Sequence, residues 1–207
     1  QEIKENITPN ADTTIKIIGE QQQAQNKSSS HLVIKTIHGT INVAFLPESS
    51  PESVQYIQDL LSNADEQHTV RTFHRAEKDL LIQGVLTTGS ENHQLTRNIV
   101  FGKCPDDPGL FINQPKQRQL HEKCHGPIMT KGMVAWAAGS AGGPHFFINT
   151  FHKPVDWWEH QHTVWGEIRL DDTESFSTLD RIYQLPVTKK GVMNTLNDPV
   201  HFTLQLE

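Results

Sequence analysis

The stretch Phe73-His74-Arg75-Ala76-Glu77-Lys78-Asp79-Leu80-Leu81-Ile82-Gln83-Gly84 joins two runs of strand formers across a short polar turn. Thr69, Val70, Arg71 and Thr72 lead into Phe73 and the run ends at Arg75. Beyond Lys78 and Asp79, the apolar Leu80, Leu81 and Ile82 end at Gln83. The pattern predicts strands over about 69–75 and 80–86, flanking the arginine. A guanidinium stays charged at every physiological pH and offers five donors in a rigid fork, so beside an apolar pocket it aims hydrogen bonds at a polar ligand atom. The competing reading is a surface arginine whose stem lies along a strand.

Working outward, residues 1–30 read as a tail or linker. EQQQAQNKSSS at 20–30 buries too little apolar surface to offset its ordering entropy, with a short strand expected at Ile15–Ile18. A folded domain is expected over 31–207. It opens with a hairpin, Leu32–Ile37 and Ile41–Phe45 around His38-Gly39. A helix follows, with Ser49 and Glu52 as a capping box, Pro51 in the first turn, and Val54, Ile57, Leu60 and Leu61 on one face. Residues 87–131 read as long loops around a short Ile99–Phe101 strand. Met133–Ala137 and His145–Thr150 then read as buried strands across the turn at 139–144, and Thr163–Ile168 as another. A second helix is expected at about 175–184, with Phe176, Leu179 and Ile182 on one face, and a last strand at Val200–Glu207, which alternates apolar and polar. Many short strands with two helices predict a mostly all-β fold, a β-barrel capped at its ends.

The 207 residues allow one sizeable core. A net charge of −6 without a Lys/Arg cluster argues against nucleic acid as a partner. The longest apolar run, Met133–Ala138, is far below the roughly 20 residues of a spanning helix, so no membrane contact is expected of this chain. Its first residue is Gln1 rather than Met, which leaves room for a targeting or anchoring segment upstream. Cys104 and Cys124 admit a disulfide, free thiols, or a metal site with His121 and His125; a disulfide is expected and a metal is not. Asn6-Ile7-Thr8 and Asn26-Lys27-Ser28 fit the glycosylation acceptor pattern, so Asn6 and Asn26 point toward a secretory lumen, with the cytoplasm as the alternative.

FHR at 73–75, IQG at 82–84, HGPI at 125–128, GMVAWA at 132–137, HFFINT at 145–150 and WWEHQHTVWGEI at 157–168, in that order and spacing, resemble the cyclophilins, a family of peptidyl-prolyl cis/trans isomerases. The resemblance covers about 31–207. It implies an eight-stranded antiparallel barrel with two capping helices, and an outer groove that binds an X-Pro segment of a client protein. It further implies Arg75 as the catalytic arginine and Gln83 as the glutamine that steadies it. Phe147 becomes the floor of the proline pocket, Trp157 its rim, and His162 one side. Leu80 and Leu81 stand where the family has phenylalanine and methionine, which keeps the wall apolar and changes its shape. Ala137 and Ala138 follow the Met-Val-Ala-Trp run, and Ala138 replaces an asparagine that contacts substrate. His145 replaces a glutamine, and Trp158 replaces a leucine on the pocket wall. A monomer without cofactor is expected.

Such a site makes or breaks no covalent bond. Rotation about X-Pro is opposed by amide resonance, a barrier of roughly 18–20 kcal/mol, and a donor aimed at the prolyl nitrogen binds it best when the bond is twisted. Adjacent strand residues face opposite ways, so Phe146 is expected in the core and Phe147 in the groove. The alternative within the family is a module that binds proline segments with little catalysis. A serine hydrolase is disfavoured because Ala138-Gly139-Ser140-Ala141-Gly142 lacks the first glycine of G-x-S-x-G. A metalloenzyme built from His145, His152, His160 and His162 lacks an acidic base at a recognisable spacing.

Overall fold

The computed structural model describes residues 31–62, 71–86, 125–137 and 145–207. Asn6, Asn26, Cys104, Cys124, Ala138, the 139–144 turn and the strands expected at Ile15–Ile18 and Ile99–Phe101 lie outside the described residues. In chain order the elements are β1 (His31–Thr36), β2 (Gly39–Phe45), α1 (Pro51–Ser62), β3 (Thr72–Glu77), β4 (Leu81–Val85), β5 (Met133–Trp136), β6 (His145–Asn149), a 3-10 turn (Asp156–Trp158), β7 (Val164–Glu167), α2 (Thr173–Tyr183), β8 (Val187–Lys190) and β9 (Met193–Leu206).

The strands run antiparallel in the order β1-β2-β7-β5-β6-β4-β3-β9-β8, and β1 also pairs with β9. That last pairing, with Ile34 opposite Leu204, closes eight strands into a barrel and leaves no open edge among them. β8 hangs on β9 outside the ring, with Lys190 opposite Met193. Alternation sends one face of each strand inward. Leu32, Ile34, Ile41, Val43, Phe73, Ile82, Val134, Trp136, Phe146, Ile148 and Trp165 fill the barrel with little or no exposure. Phe73 lies 4.7 Å from Phe202 and 5.8 Å from Phe146, ring centre to ring centre, and Trp136 and Trp165 lie 5.4 Å apart. Gly84 permits this packing, because a Cβ there would stand 2.8 Å from the Thr72 carbonyl oxygen and 2.9 Å from the Phe73 ring.

Both helices pack on the barrel. Tyr56 and Ile57 of α1, and Leu179 and Ile182 of α2, join the same core, with Leu60, Leu61 and Phe176 partly buried against it. The first helix begins one residue later than a Ser49 cap requires. Pro51 is its first residue, and Ser50, wholly buried, meets the Ser53 hydroxyl at 2.6 Å. α2 begins two residues before the expected start. Asp172 caps it by accepting from the Ser175 N–H at 2.9 Å, and its other oxygen accepts from Asn42 at 3.0 Å, which ties the helix to β2. The last strand is longer than expected, and β8 was not foreseen. Among the described residues no helix is long and apolar enough to cross a membrane.

Candidate functional site

The site is assembled on the outer face of the barrel by strand register. Arg75 on β3 pairs with Gln83 on β4, Gln83 with Phe147 on β6, Phe147 with Ala135 on β5, and Ala135 with Val164 on β7. Directly paired residues share a face, so five strands present one row running from a guanidinium to an apolar patch. The row behind it, Phe73, Gly84, Phe146 and Trp136, faces the core. The alternation expected at Phe146 and Phe147 is present: Phe146 belongs to the barrel core and Phe147 to a second, outer cluster.

That outer cluster joins Leu81, Met129, Ala135, Phe147 and Val164, with Leu80, Ala137 and Trp158 partly buried against it. Leu80 and Leu81 therefore line the patch from one side and Ala137 from another. Phe147 is only 3% exposed, because Trp158 and His162 lie edge-on to its ring at 5.3 and 4.8 Å. The two tryptophans differ in place. Trp157 is 54% exposed and meets Phe151 edge-on at 5.1 Å, so Trp158 rather than Trp157 is the indole against Phe147. Glu159, the residue after this pair, adopts φ 52° and ψ −137°, a region costly for any residue with a Cβ.

Arg75 lies inside β3, not at its end. A bulge at His74 shifts the register between Phe73 and Arg75. Without the bulge, Phe73 and Arg75 would point the same way; with it, Phe73 and Ala76 enter the core and Arg75 turns outward. Arg75 Nη1 donates to Gln83 Oε1 at 3.1 Å, and its Nε donates to Glu77 Oε1 at 2.9 Å. Sequence reasoning missed Glu77. A carboxylate two residues from an arginine was the available signal, but the expected strand stops at about residue 75 and β3 continues to Glu77.

Histidines ring the patch. His145, on the Phe147 face, stands edge-on to His74 at 5.4 Å. His162 Nδ1 lies 3.4 Å from the Trp136 carbonyl, which only accepts, so this nitrogen carries the proton and Nε2 is left as an acceptor. Burial lowers the pKa of His162, opposed by that backbone bond and helped by His125. Burial likewise lowers the pKa of His74, helped by His145 and Arg75. Both values are depressed in the folded state, so both groups contribute stability that is present above the unfolded value of about 6.5 and is lost as pH falls toward and through the folded values. Thermal unfolding is expected to shift to lower temperature between pH 7 and pH 5. The His74→Gln/His162→Gln double variant should show a visibly flatter dependence over that range. Among the described residues no cluster of His, Cys, Asp or Glu has the arrangement of a metal site.

An arginine bonded to a glutamine, with the glutamine's strand between it and a phenylalanine-floored patch, is the arrangement that the resemblance implies. Residues 31–201 match the sequence profile of the family described as cyclophilin type peptidyl-prolyl cis-trans isomerase/CLD. The chain belongs to this family. A curated relative, the peptidyl-prolyl cis-trans isomerase CYP57 of Arabidopsis thaliana, is 27% identical over 154 residues, covering 73% of this chain and 27% of that protein. The chain thus spans about a quarter of that cyclophilin's length. Among solved structures, a Cryptosporidium parvum cyclophilin type peptidyl-prolyl cis-trans isomerase superposes with a TM-score of 0.48 at 16% identity, covering 83% of this chain and 96% of that one. The same protein in the presence of the dipeptide Ala-Pro gives 0.48 and 16%, covering 83% and 98%. In this chain the barrel carries the row from Arg75 to Phe147, with Trp158 against Phe147 and Glu77 against Arg75.

Proposed function

We propose that this cyclophilin is a peptidyl-prolyl cis/trans isomerase acting on X-Pro bonds in protein segments. The observation that carries the reading is the cross-strand row Arg75, Gln83, Phe147 and Ala135, with the guanidinium held at 3.1 Å by Gln83. The proline ring is received beside Phe147 by the partly buried Leu80, Ala137 and Trp158, and closing on it removes water from the amide. As the C–N bond twists, resonance is lost and the prolyl nitrogen gains a lone pair. An Arg75 N–H aimed there binds the twisted state more strongly than either planar one, and each ~1.4 kcal/mol of that preference is about tenfold in rate. His162, neutral at pH 7, flanks the ring as an apolar edge with one acceptor.

Trp158 over Phe147 favours the second reading, a module that binds proline segments with little turnover, since a bulky indole on the floor narrows the space for rotation. An isomerisation assay over a panel of X-Pro peptides separates the two. The isomerase reading expects turnover above the spontaneous rate, whereas peptide binding without it would establish the module. The acceptor triplets at Asn6 and Asn26 support a setting in a secretory lumen for either activity.

A further inference from the structure

Glu77 does more at this site than pair with a charge. After the His74 bulge, Arg75 and Glu77 face outward together while Ala76 enters the core. Glu77 Oε1 accepts from Arg75 Nε at 2.9 Å and from the Asn194 backbone N–H at 2.7 Å, and Oε2 accepts from Asn194 Nδ2 at 2.6 Å. The carboxylate is therefore fixed by three donors before any substrate arrives. Its side chain is 12% exposed and that of Arg75 22%, unlike a solvent-facing ion pair that holds no geometry. Burial works against the charge on Glu77, but the bonds from the Asn194 backbone, Arg75 and the Asn194 side chain outweigh it and leave its pKa below the usual carboxylate value. Asn194 in turn is placed by the hairpin of β8 and β9, where it stands opposite Lys189, three residues past the Gly191 turn at φ 62°. Asn194 itself belongs to β9, so the barrel strand beside β3 reaches the arginine through it, with β8 paired behind it.

With Nε held by Glu77 and Nη1 held by Gln83, the fork is fixed at two of its three nitrogens. Among the described residues nothing engages Nη2. We propose that Glu77, braced by Asn194 at the base of the β8–β9 hairpin, is a positioning residue that locks Arg75 so that Nη2 is the nitrogen presented to the substrate. This rests on the isomerase reading, because Arg75 is then the group that acts on the twisting amide. A preorganised donor loses no conformational freedom as the transition state forms, whereas a mobile one must be ordered at that moment.

The test measures steady-state isomerisation and the Arg75 Nε–H signal by NMR in the full chain. Glu77→Ala is expected to lower kcat about tenfold with KM nearly unchanged, and Asn194→Ala to fall between it and wild type, since the backbone N–H remains. Glu77→Gln keeps an acceptor at the same reach and should return to within about threefold of wild type. In an Arg75→Ala background, Glu77→Ala should cost nothing further. The Nε–H resonance should exchange slowly with water in wild type and collapse in Glu77→Ala. The proposal is overturned if folded Glu77→Ala keeps wild-type kcat, if its cost persists without Arg75, or if the wild-type Nε–H exchanges as fast as that of an exposed arginine. A wild-type protein without turnover would sink the isomerase reading alone, and the Nε–H signal would still decide whether Glu77 locks the arginine.

Discussion

Arg75→Ala is expected to lower kcat/KM for an X-Pro peptide by one to three orders of magnitude, while the protein remains folded. That range corresponds to roughly 1.4–4 kcal/mol, the loss typical of one preorganised donor aimed at a site where electron density develops. KM should change less than kcat, because in the proposed function the proline ring rests on the Phe147 patch and not on the guanidinium. Arg75→Lys should recover little. An ammonium on a flexible stem cannot accept the two constraints that fix Nε and Nη1, and its donors do not form a fork. Folding survives because Arg75 lies on the outer face, away from the barrel core. Wild-type kcat/KM in a folded Arg75→Ala protein would remove the catalytic assignment.

Phe146→Ala and Phe147→Ala should part company although the residues are neighbours. Phe146 is wholly buried among Phe73 at 5.8 Å, Trp165 at 6.0 Å and Phe202 at 6.1 Å. Its truncation opens a cavity inside a closed barrel and is expected to cost about 3–5 kcal/mol in denaturant unfolding. Phe147 sits on the outer face under Trp158 and His162, where side chains can settle into the gap, so its truncation should cost less, about 2 kcal/mol. The larger effect of Phe147→Ala should be on function, with weaker peptide binding by calorimetry and lower turnover together. Equal stability losses with unchanged peptide affinity would mean that Phe147 is core packing only.

Local pattern made much of the barrel legible before any coordinates. Alternation set Phe146 and Phe147 on opposite faces and the family resemblance made Phe147 the outward one, while the apolar spacing of Val54 and Ile57, and of Leu179 and Ile182, marked the two helices. Where the reading slipped, the cause was equally local. Ser49 and Ser50 are chemically alike, so the cap was placed one residue early. β8 escaped because Val187-Thr188-Lys189-Lys190 is exposed along its whole length and carries no inside–outside period. Trp157 and Trp158 are the same residue type, so composition does not separate them; the resemblance put Trp158 on the pocket wall, and the 3-10 turn sets it against Phe147.

Residue types and spacing along the chain were enough to establish both helices and most of the strands, because those depend on periodicity within a few residues, whereas the arginine beside an apolar pocket stays one of two readings without the family resemblance. The direction of Arg75 and its partners depended on contacts that no short window contains. The bulge at His74 shifts β3 against β4 on one side and against β9 on the other, and this extra residue turns the guanidinium out of the core. Asn194 meets Glu77 across 117 positions of sequence, and β9 meets β1 across still more, so both arise only when the barrel closes and strand register brings distant residues to one face.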